Sequence, residues 1–221
     1  MNHSSELILD SIFFRVPELS ILEGAWLKAE AGQVTAIIGR NGSGKSTLLK
    51  VAAGQIKATA GITIIDGERI HSKSLNRRFA KIGYLPQDTM LPPDITVKRL
   101  IRSLGKSKLT EDPLIQKIYN QKTIQLSGGE KRYLEVVMLF QLDRKYILLD
   151  EPFTGVEPTI IDLLIDRIRK EAHNGKGIML TDHMHRYISM VADKGYLVHN
   201  RQCYDLGNDF SQELKRMGYH R

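Results

Sequence analysis

Residues Gly39 to Thr47 read "GRNGSGKST", and the fold turns on whether this stretch is a phosphate loop or a glycine turn that happens to carry a lysine. It fits G-x-x-x-x-G-K-[ST], with Gly39 first and Gly44, Lys45 and Ser46 at the turn into a helix. Before it, "QVTAIIG" is a short β-branched apolar run of the buried-strand type. After it, "STLLKVAAG" has the apolar spacing of a helix that closes at Gly54. Glycines at 39, 42 and 44 let the backbone curl so that successive N–H groups face phosphate oxygens, and the helix amino terminus adds partial positive charge. Strand, loop and helix in that order favour the phosphate reading. The expected contacts are Gly39, Arg40, Asn41, Gly42, Ser43, Gly44, Lys45, Ser46 and Thr47. Lys45 would reach the β and γ phosphates, and Ser46 would hold Mg²⁺ through its hydroxyl.

With 221 residues, 42% of them hydrophobic, the chain has enough apolar material for one large domain or one domain with an insertion. No apolar run approaches the roughly 20 residues of a membrane helix, and "MNHSSELILD" lacks a signal peptide's basic start and long apolar centre. A cytoplasmic chain that does not itself cross a bilayer is expected. Cys203 is the single cysteine, so an internal disulfide is excluded and a cysteine-based metal site disfavoured. The net charge of +7 is scattered from Arg15 to Arg221. Its densest cluster, "HSKSLNRRFAK" (His71 to Lys81), has Phe79 as its one aromatic, which makes a poor base-stacking surface. A solvated face near a nucleotide is expected there, and no specific nucleic-acid partner.

"ELILDSIFFRV", "GAWLKAEAG" and "GITIIDGERI" read as strands with turns at Gly32, Gly61 and Gly67. After "IGYLPQD" the texture changes. Pro92, Pro93 and Pro113 interrupt the segment, and "TVKRLIRSL", "TEDPLIQKIYN" and "GGEKRYLEVVMLF" are of helical type, with Thr110 a candidate cap and Pro113 near a first turn. Strands resume with "KYILLD", "GIMLTDH" and "KGYLVHN", separated by the helical "TIIDLLIDRIRKEAHNG". Alternation of strands and helices implies a mainly parallel sheet covered on both faces. The expected class is α/β: a phosphate-loop core, a small antiparallel β subdomain and a helical insertion. Residues 1–221 form a single domain on this reading, with 1–87 and 133–221 as core and 88–132 as the helical subdomain.

"YILLDEP" (Tyr146 to Pro152) is an apolar strand ending in two acids. If the strand continued, Asp150 and Glu151 would point to opposite sides, one toward the Mg²⁺ shell and one toward an attacking water. Alone, this would be an unremarked hydrated strand end; beside a phosphate loop it is a strong signal. The order "GRNGSGKST", "YLPQD" with Gln87, "LSGGE" (Leu126 to Glu130), "ILLDEP" and "TDH" with His183 resembles the nucleotide-binding subunit of ATP-binding cassette (ABC) ATPases over nearly the whole chain. The stretches "LDEPFTGVEP" and "TDHMHRYISMVADKGYLV" look most like the lipopolysaccharide-export and branched-chain amino-acid transport branch. The resemblance implies that Glu151 is the catalytic carboxylate, that His183 contacts the γ-phosphate, and that Gln87 contacts Mg²⁺, with Ser46 and Asp150 beside it, and couples the helical arm to the core. Read from residue type alone, His183 would be a strand-end histidine or, with His185, half of a metal site.

The resemblance also explains why one chain carries two glycine loops. Ser127, Gly128 and Gly129 would cover the nucleotide held by a second subunit, so the chain would pair head to tail with itself or with another ABC ATPase. In isolation the same residues would read as a helix cap and a turn. Three departures stand out. The adenine-stacking aromatic of the family falls on Val16, with Phe14 and Phe13 nearby; Glu157 stands where aspartate is usual; and Tyr133 replaces a commonly basic position in an arm that looks short. The implied function is ATP hydrolysis, with ATP and Mg²⁺ bound, that powers integral membrane permease subunits from the inner face of the membrane. A soluble ABC ATPase serving iron–sulfur assembly or translation is the alternative.

Overall fold

The computed structural model describes residues 5–70, 75–105 and 107–216. In chain order the strands are β1 (Glu6–Val16), β2 (Leu19–Glu30), β3 (Val34–Ile38), β4 (Ala60–Ile65), β5 (Glu68–Ile70), β6 (Ile82–Leu85), β7 (Tyr146–Asp150), β8 (Gly177–Thr181), β9 (Lys194–His199) and β10 (Gln202–Gly207). The helices are α1 (Lys45–Ala53), α2 (Leu75–Lys81), α3 (Val97–Ser103), α4 (Pro113–Ile118), α5 (Gly128–Phe140), α6 (Pro158–His173), α7 (His185–Val191) and α8 (Phe210–Arg216).

Every residue of β3, β7 and β8 is buried. Such buried runs, apolar but for Thr35, Asp150 and Thr181, suit parallel strands covered on both faces, and they lie in a six-stranded sheet of order β10-β9-β3-β8-β7-β6, parallel except for β10. The two-residue period of a strand divides their side chains between two cores. Ile147 and Leu149 of β7, with Ile178 and Leu180 of β8, pack among residues of α5 and α6. Tyr146, Leu148 and Met179 point the other way, against α1 and the antiparallel sheet of order β2-β1-β4-β5. The helix that follows the phosphate loop is thereby clamped between two sheets. Asp66, at the β4–β5 turn, ties those sheets together: it accepts from Lys81 Nζ at 2.8 Å, Lys145 Nζ at 2.7 Å and the Tyr146 phenol at 2.7 Å.

Between β6 and β7 lie α3, α4 and α5 with two short 3-10 turns. Helix α5 runs unbroken across residues 132 and 133, where the sequence suggested an edge of the helical segment. The cap of α4 is Asp112 and not Thr110. Its Oδ1 accepts from Leu114 N at 3.0 Å and Ile115 N at 3.2 Å, while Thr110 sits in the preceding 3-10 turn. Asp directly before Pro113 wins because the carboxylate reaches the free N–H groups and proline needs none.

The basic cluster departs from the expected solvated face at Arg78. Its first four residues, His71 to Ser74, lie outside the described residues. Arg78 is buried, donating to the carbonyls of Val51 at 2.6 Å and Ile70 at 3.3 Å, and so caps the end of α1. Among the described residues, no helix is long and apolar enough to cross a membrane.

Candidate active site

Strand β3 delivers the chain to Gly39, and the loop from there to α1 has no room for side chains at two positions. A Cβ on Gly39 (φ 155°) would stand 2.6 Å from the Val198 carbonyl oxygen, and one on Gly44 (φ 106°), the residue that caps α1, would stand 2.9 Å from Leu22 Cδ2. Glycine is required there on steric grounds as well as for its left-handed backbone. Lys45, only 5% exposed, donates Nζ to the carbonyls of Gly39 at 2.9 Å and Arg40 at 3.1 Å, which closes the loop around its own side chain. Burial lowers the Lys45 pKa, opposed by the negative charges of Glu151, Asp150 and Asp182. Ser43 Oγ is buried without a hydrogen-bond partner. An acceptor oxygen arriving in the loop would satisfy it.

Asp150 and Glu151 do separate, but a backbone turn does it. Strand β7 ends at Asp150, and Glu151 has a φ of 49°. The pleat expected of a continuing strand is replaced by a left-handed residue, unusual without glycine. Asp150 goes inward and is 1% exposed. Its Oδ1 accepts from Ser46 Oγ at 2.9 Å and Thr181 Oγ1 at 2.8 Å, and its Oδ2 from the Tyr84 phenol at 3.0 Å. Burial and the Asp150 charge together push the Tyr84 pKa up, so the phenol keeps its proton as donor. Asp150 therefore stands behind Ser46.

Glu151 faces the open cleft. Its Oε2 accepts from Gln87 Nε2 at 3.0 Å and Thr154 Oγ1 at 3.2 Å, with His183 Nδ1 at 3.8 Å. The cleft, about 510 Å³, is walled on one side by Asn41, Gly42, Gly44, Lys45, Ser46 and Thr47 and on the other by Gln87, Glu151, Thr154 and His183, with Ile21 at its edge. Residues scattered over more than 140 positions of sequence thus meet around the phosphate loop. Thr154 and Asp182 were missed by the sequence reading. Asp182, fully buried, accepts the backbone N–H groups of Phe153, His183 and Met184 at 2.9, 2.8 and 3.0 Å, which sets both the turn after Glu151 and the turn that carries His183. Its place inside "TDH" was the available signal.

Ser127, Gly128 and Gly129 do not line this cleft. Ser127 caps α5: its Oγ accepts from Glu130 N at 3.1 Å, and Glu130 Oε2 accepts from Ser127 N at 3.0 Å, a reciprocal capping box. Glu157 packs on this turn, and a Cβ on Gly129 would meet its Oε2 at 2.6 Å. Tyr133 donates its phenol to Asp112 Oδ2 at 2.6 Å, so this departure joins α5 to the cap of α4. Val16 and Phe13 are exposed and Phe14 packs on the second core; none of the three lines the cleft.

A family model described as ABC transporter matches residues 22–154, well over half of the chain. The chain belongs to the ABC transporter ATPase family. An ABC transporter ATP-binding protein of Rhizobium meliloti (strain 1021) is 30% identical over 193 residues, covering 81% of this chain and 72% of that protein. The lipopolysaccharide export system ATP-binding protein LptB of Escherichia coli (strain K12) is 30% identical over 196 residues, covering 80% of each. A solved nucleotide-free ATP-binding cassette from an ABC transporter superposes with a TM-score of 0.81 at 23% identity over 97% of this chain and 95% of that one, which shows the fold. ABC ATPases bind and hydrolyse ATP and work with membrane permease subunits, so the chain is an ATP-hydrolysing subunit of an ABC transporter. Service to a soluble protein or nucleic-acid machine is not favoured.

Proposed function

We propose that Glu151 is the carboxylate that acts on the attacking water, and that each ATP site is completed by Ser127, Gly128 and Gly129 of a second subunit. The first part rests on the hydrogen bonds to Glu151. Gln87 and Thr154 both donate to Oε2, which fixes the carboxylate in the cleft opposite the phosphate loop and leaves Oε1 for water. His183 stands beside it, half exposed, where it can reach a terminal phosphate. Lys45 holds phosphate oxygens by exchanging its loop carbonyls for them.

The cleft's donors are a hydroxyl at Ser46, held by Asp150, and the Gln87 amide oxygen, a hard-oxygen set that suits Mg²⁺ shared with phosphate. When bound, Mg²⁺ supplies charge that offsets the β and γ phosphates. Ser46 and Gln87 would hold it, with Asp150 acting through Ser46. The helical segment, residues 88–132, would dock on an integral membrane permease and place the subunit at the cytoplasmic face.

The observation that carries the paired reading is that the capped amino terminus of α5 is built but absent from the walls of its own chain's cleft. Its free N–H groups suit an incoming phosphate. Mixing a Lys45→Ala chain with a Ser127→Arg chain tests it. Each heterodimer would hold one intact composite site and one carrying both lesions, so hydrolysis should exceed that of either variant alone. No gain in a mixture shown to contain heterodimers would mean that the site is completed within one chain.

A further inference from the structure

Helix α5 carries two buried charges that the reading above leaves without a task. Arg132 and Glu135 are each 6% exposed, one turn apart, with Arg132 Nη1 at 3.5 Å from Glu135 Oε2. Burying a pair of ions is costly unless their remaining hydrogen-bonding groups are also satisfied, and the partners they take are informative. Arg132 Nη1 donates to the Pro86 carbonyl at 2.8 Å, and Nη2 donates to the carbonyls of Asp150 at 2.6 Å and Glu151 at 3.1 Å. Glu135 Oε1 accepts from Thr89 Oγ1 at 2.6 Å and from the Met90 N–H at 2.7 Å. The pair therefore grips the loop that contains Gln87 at both of its ends. It also grips the turn at which Glu151 is held in a left-handed conformation. Each contact is to a backbone or a neighbouring side chain, and neither Arg132 nor Glu135 lines the cleft itself.

The same helix begins with Ser127, Gly128 and Gly129. Arg132 lies about one and a half turns further along, at 3.6 residues per turn, so the two ends of this short span are mechanically one body. We propose that Arg132 and Glu135 are positioning residues that tie Gln87 and Glu151 to α5, so that closure of α5 on the partner's nucleotide sets the hydrolytic groups of its own chain's site. The two sites of a pair would then communicate through one guanidinium. Arginine is needed, because its two Nη atoms, held apart in one plane, reach Pro86 on one segment and Asp150 and Glu151 on another, and a single ammonium nitrogen does not span both. The proposal rests on the reading of Glu151 as the hydrolytic carboxylate and of Ser127 as acting on a second subunit's ATP.

The test uses the full-length chain with Arg132→Lys, Arg132→Ala, Glu135→Gln and, in parallel, Glu151→Gln, each first measured for thermal stability and for ATP binding. Arg132→Lys should lower kcat by about 10- to 100-fold, the scale of a small misplacement of a catalytic group, with KM for ATP within about twofold. It should also flatten the dependence of rate on ATP concentration, because the sites no longer inform each other. Low concentrations of free guanidinium, far below those that unfold proteins, should restore part of the rate to a folded Arg132→Ala protein without moving its thermal midpoint, whereas rescue of a structural loss would raise that midpoint with the rate. If Arg132→Ala does not fold, Glu135→Gln and Arg132→Lys carry the same kcat and cooperativity readouts. Folded Arg132→Lys and Glu135→Gln proteins with wild-type kcat and wild-type cooperativity would overturn the proposal while a dead Glu151→Gln left the hydrolytic reading standing. A fully active Glu151→Gln would remove that reading and this one with it.

Discussion

Replacing Asp66 by Asn tests how firmly the antiparallel sheet is fastened to the nucleotide core. Asp66 has a φ of 54° in the turn between β4 and β5, a conformation that asparagine also tolerates, so the substitution removes charge and leaves the backbone at ease. Burial alone would raise the carboxyl's pKa. The Lys145, Lys81 and Tyr146 donors outweigh it and bring the value from an ordinary 3.8 down to about 2. At about 1.4 kcal/mol for each pH unit between folded and unfolded values, the ionised carboxylate contributes about 2.5 kcal/mol. The side chain is 19% exposed, so solvent screening takes little from this. A lowered carboxylate pKa means stability that is fully present above the ordinary value and is lost as pH falls toward about 2. Urea unfolding followed by circular dichroism should show Asp66→Asn about 2.5 kcal/mol less stable at neutral pH, and thermal melts a midpoint temperature lower by about 5 to 10 °C. The difference should shrink as pH is lowered. A difference that persists unchanged into strong acid, or no difference at neutral pH, would refute the electrostatic account.

Two further outcomes follow from the cleft and from the start of α5. No aromatic of the first strand lines the cleft, so the stacking contribution of about 1 to 3 kcal/mol per base is absent and GTP should compete with ATP to within about tenfold in a competition-binding assay; strong ATP preference would point to Phe13 or Phe14 closing over the base. Gly129→Ala should be close to neutral in thermal melts, because the atom its Cβ meets at 2.6 Å, Glu157 Oε2, is the end of an exposed, flexible side chain that can turn away; a loss above about 1 kcal/mol that Glu157→Ala does not relieve would mean that Ile160 and Val156, at 3.0 and 3.3 Å, cannot yield.

What was legible in the sequence follows a physical line. The runs of β3, β7 and β8 could be read because strands buried on both faces carry few polar positions, here Thr35, Asp150 and Thr181, to confuse the pattern. The phosphate loop was legible because its glycines answer to backbone geometry that no other residue meets. Strand β10 escaped notice because Leu206 is its one buried residue, so it shows no period of two. Arg78 was taken for a surface charge, since nothing local marks a guanidinium that caps a helix nearly thirty positions earlier. Within the site, Gln87, Glu151 and His183 were named from the family resemblance of their motifs, and the fold brings all three to one cleft. The left-handed turn at Glu151 and the buried Arg132 that braces it depend on contacts between distant elements, which local pattern does not encode.

The central claim is that Glu151 acts on water at a composite ATP site. Its most direct test is the single-turnover rate of ATP hydrolysis by Glu151→Gln, measured beside its ATP affinity and its oligomeric state with ATP. Glutamine keeps the size and the contact with Gln87 and removes the charge. The account predicts retained ATP binding, an accumulated ATP-bound dimer and a rate lowered by about 100-fold or more, the range of a lost general base. Hydrolysis at the wild-type rate by a folded, ATP-binding Glu151→Gln protein would contradict it.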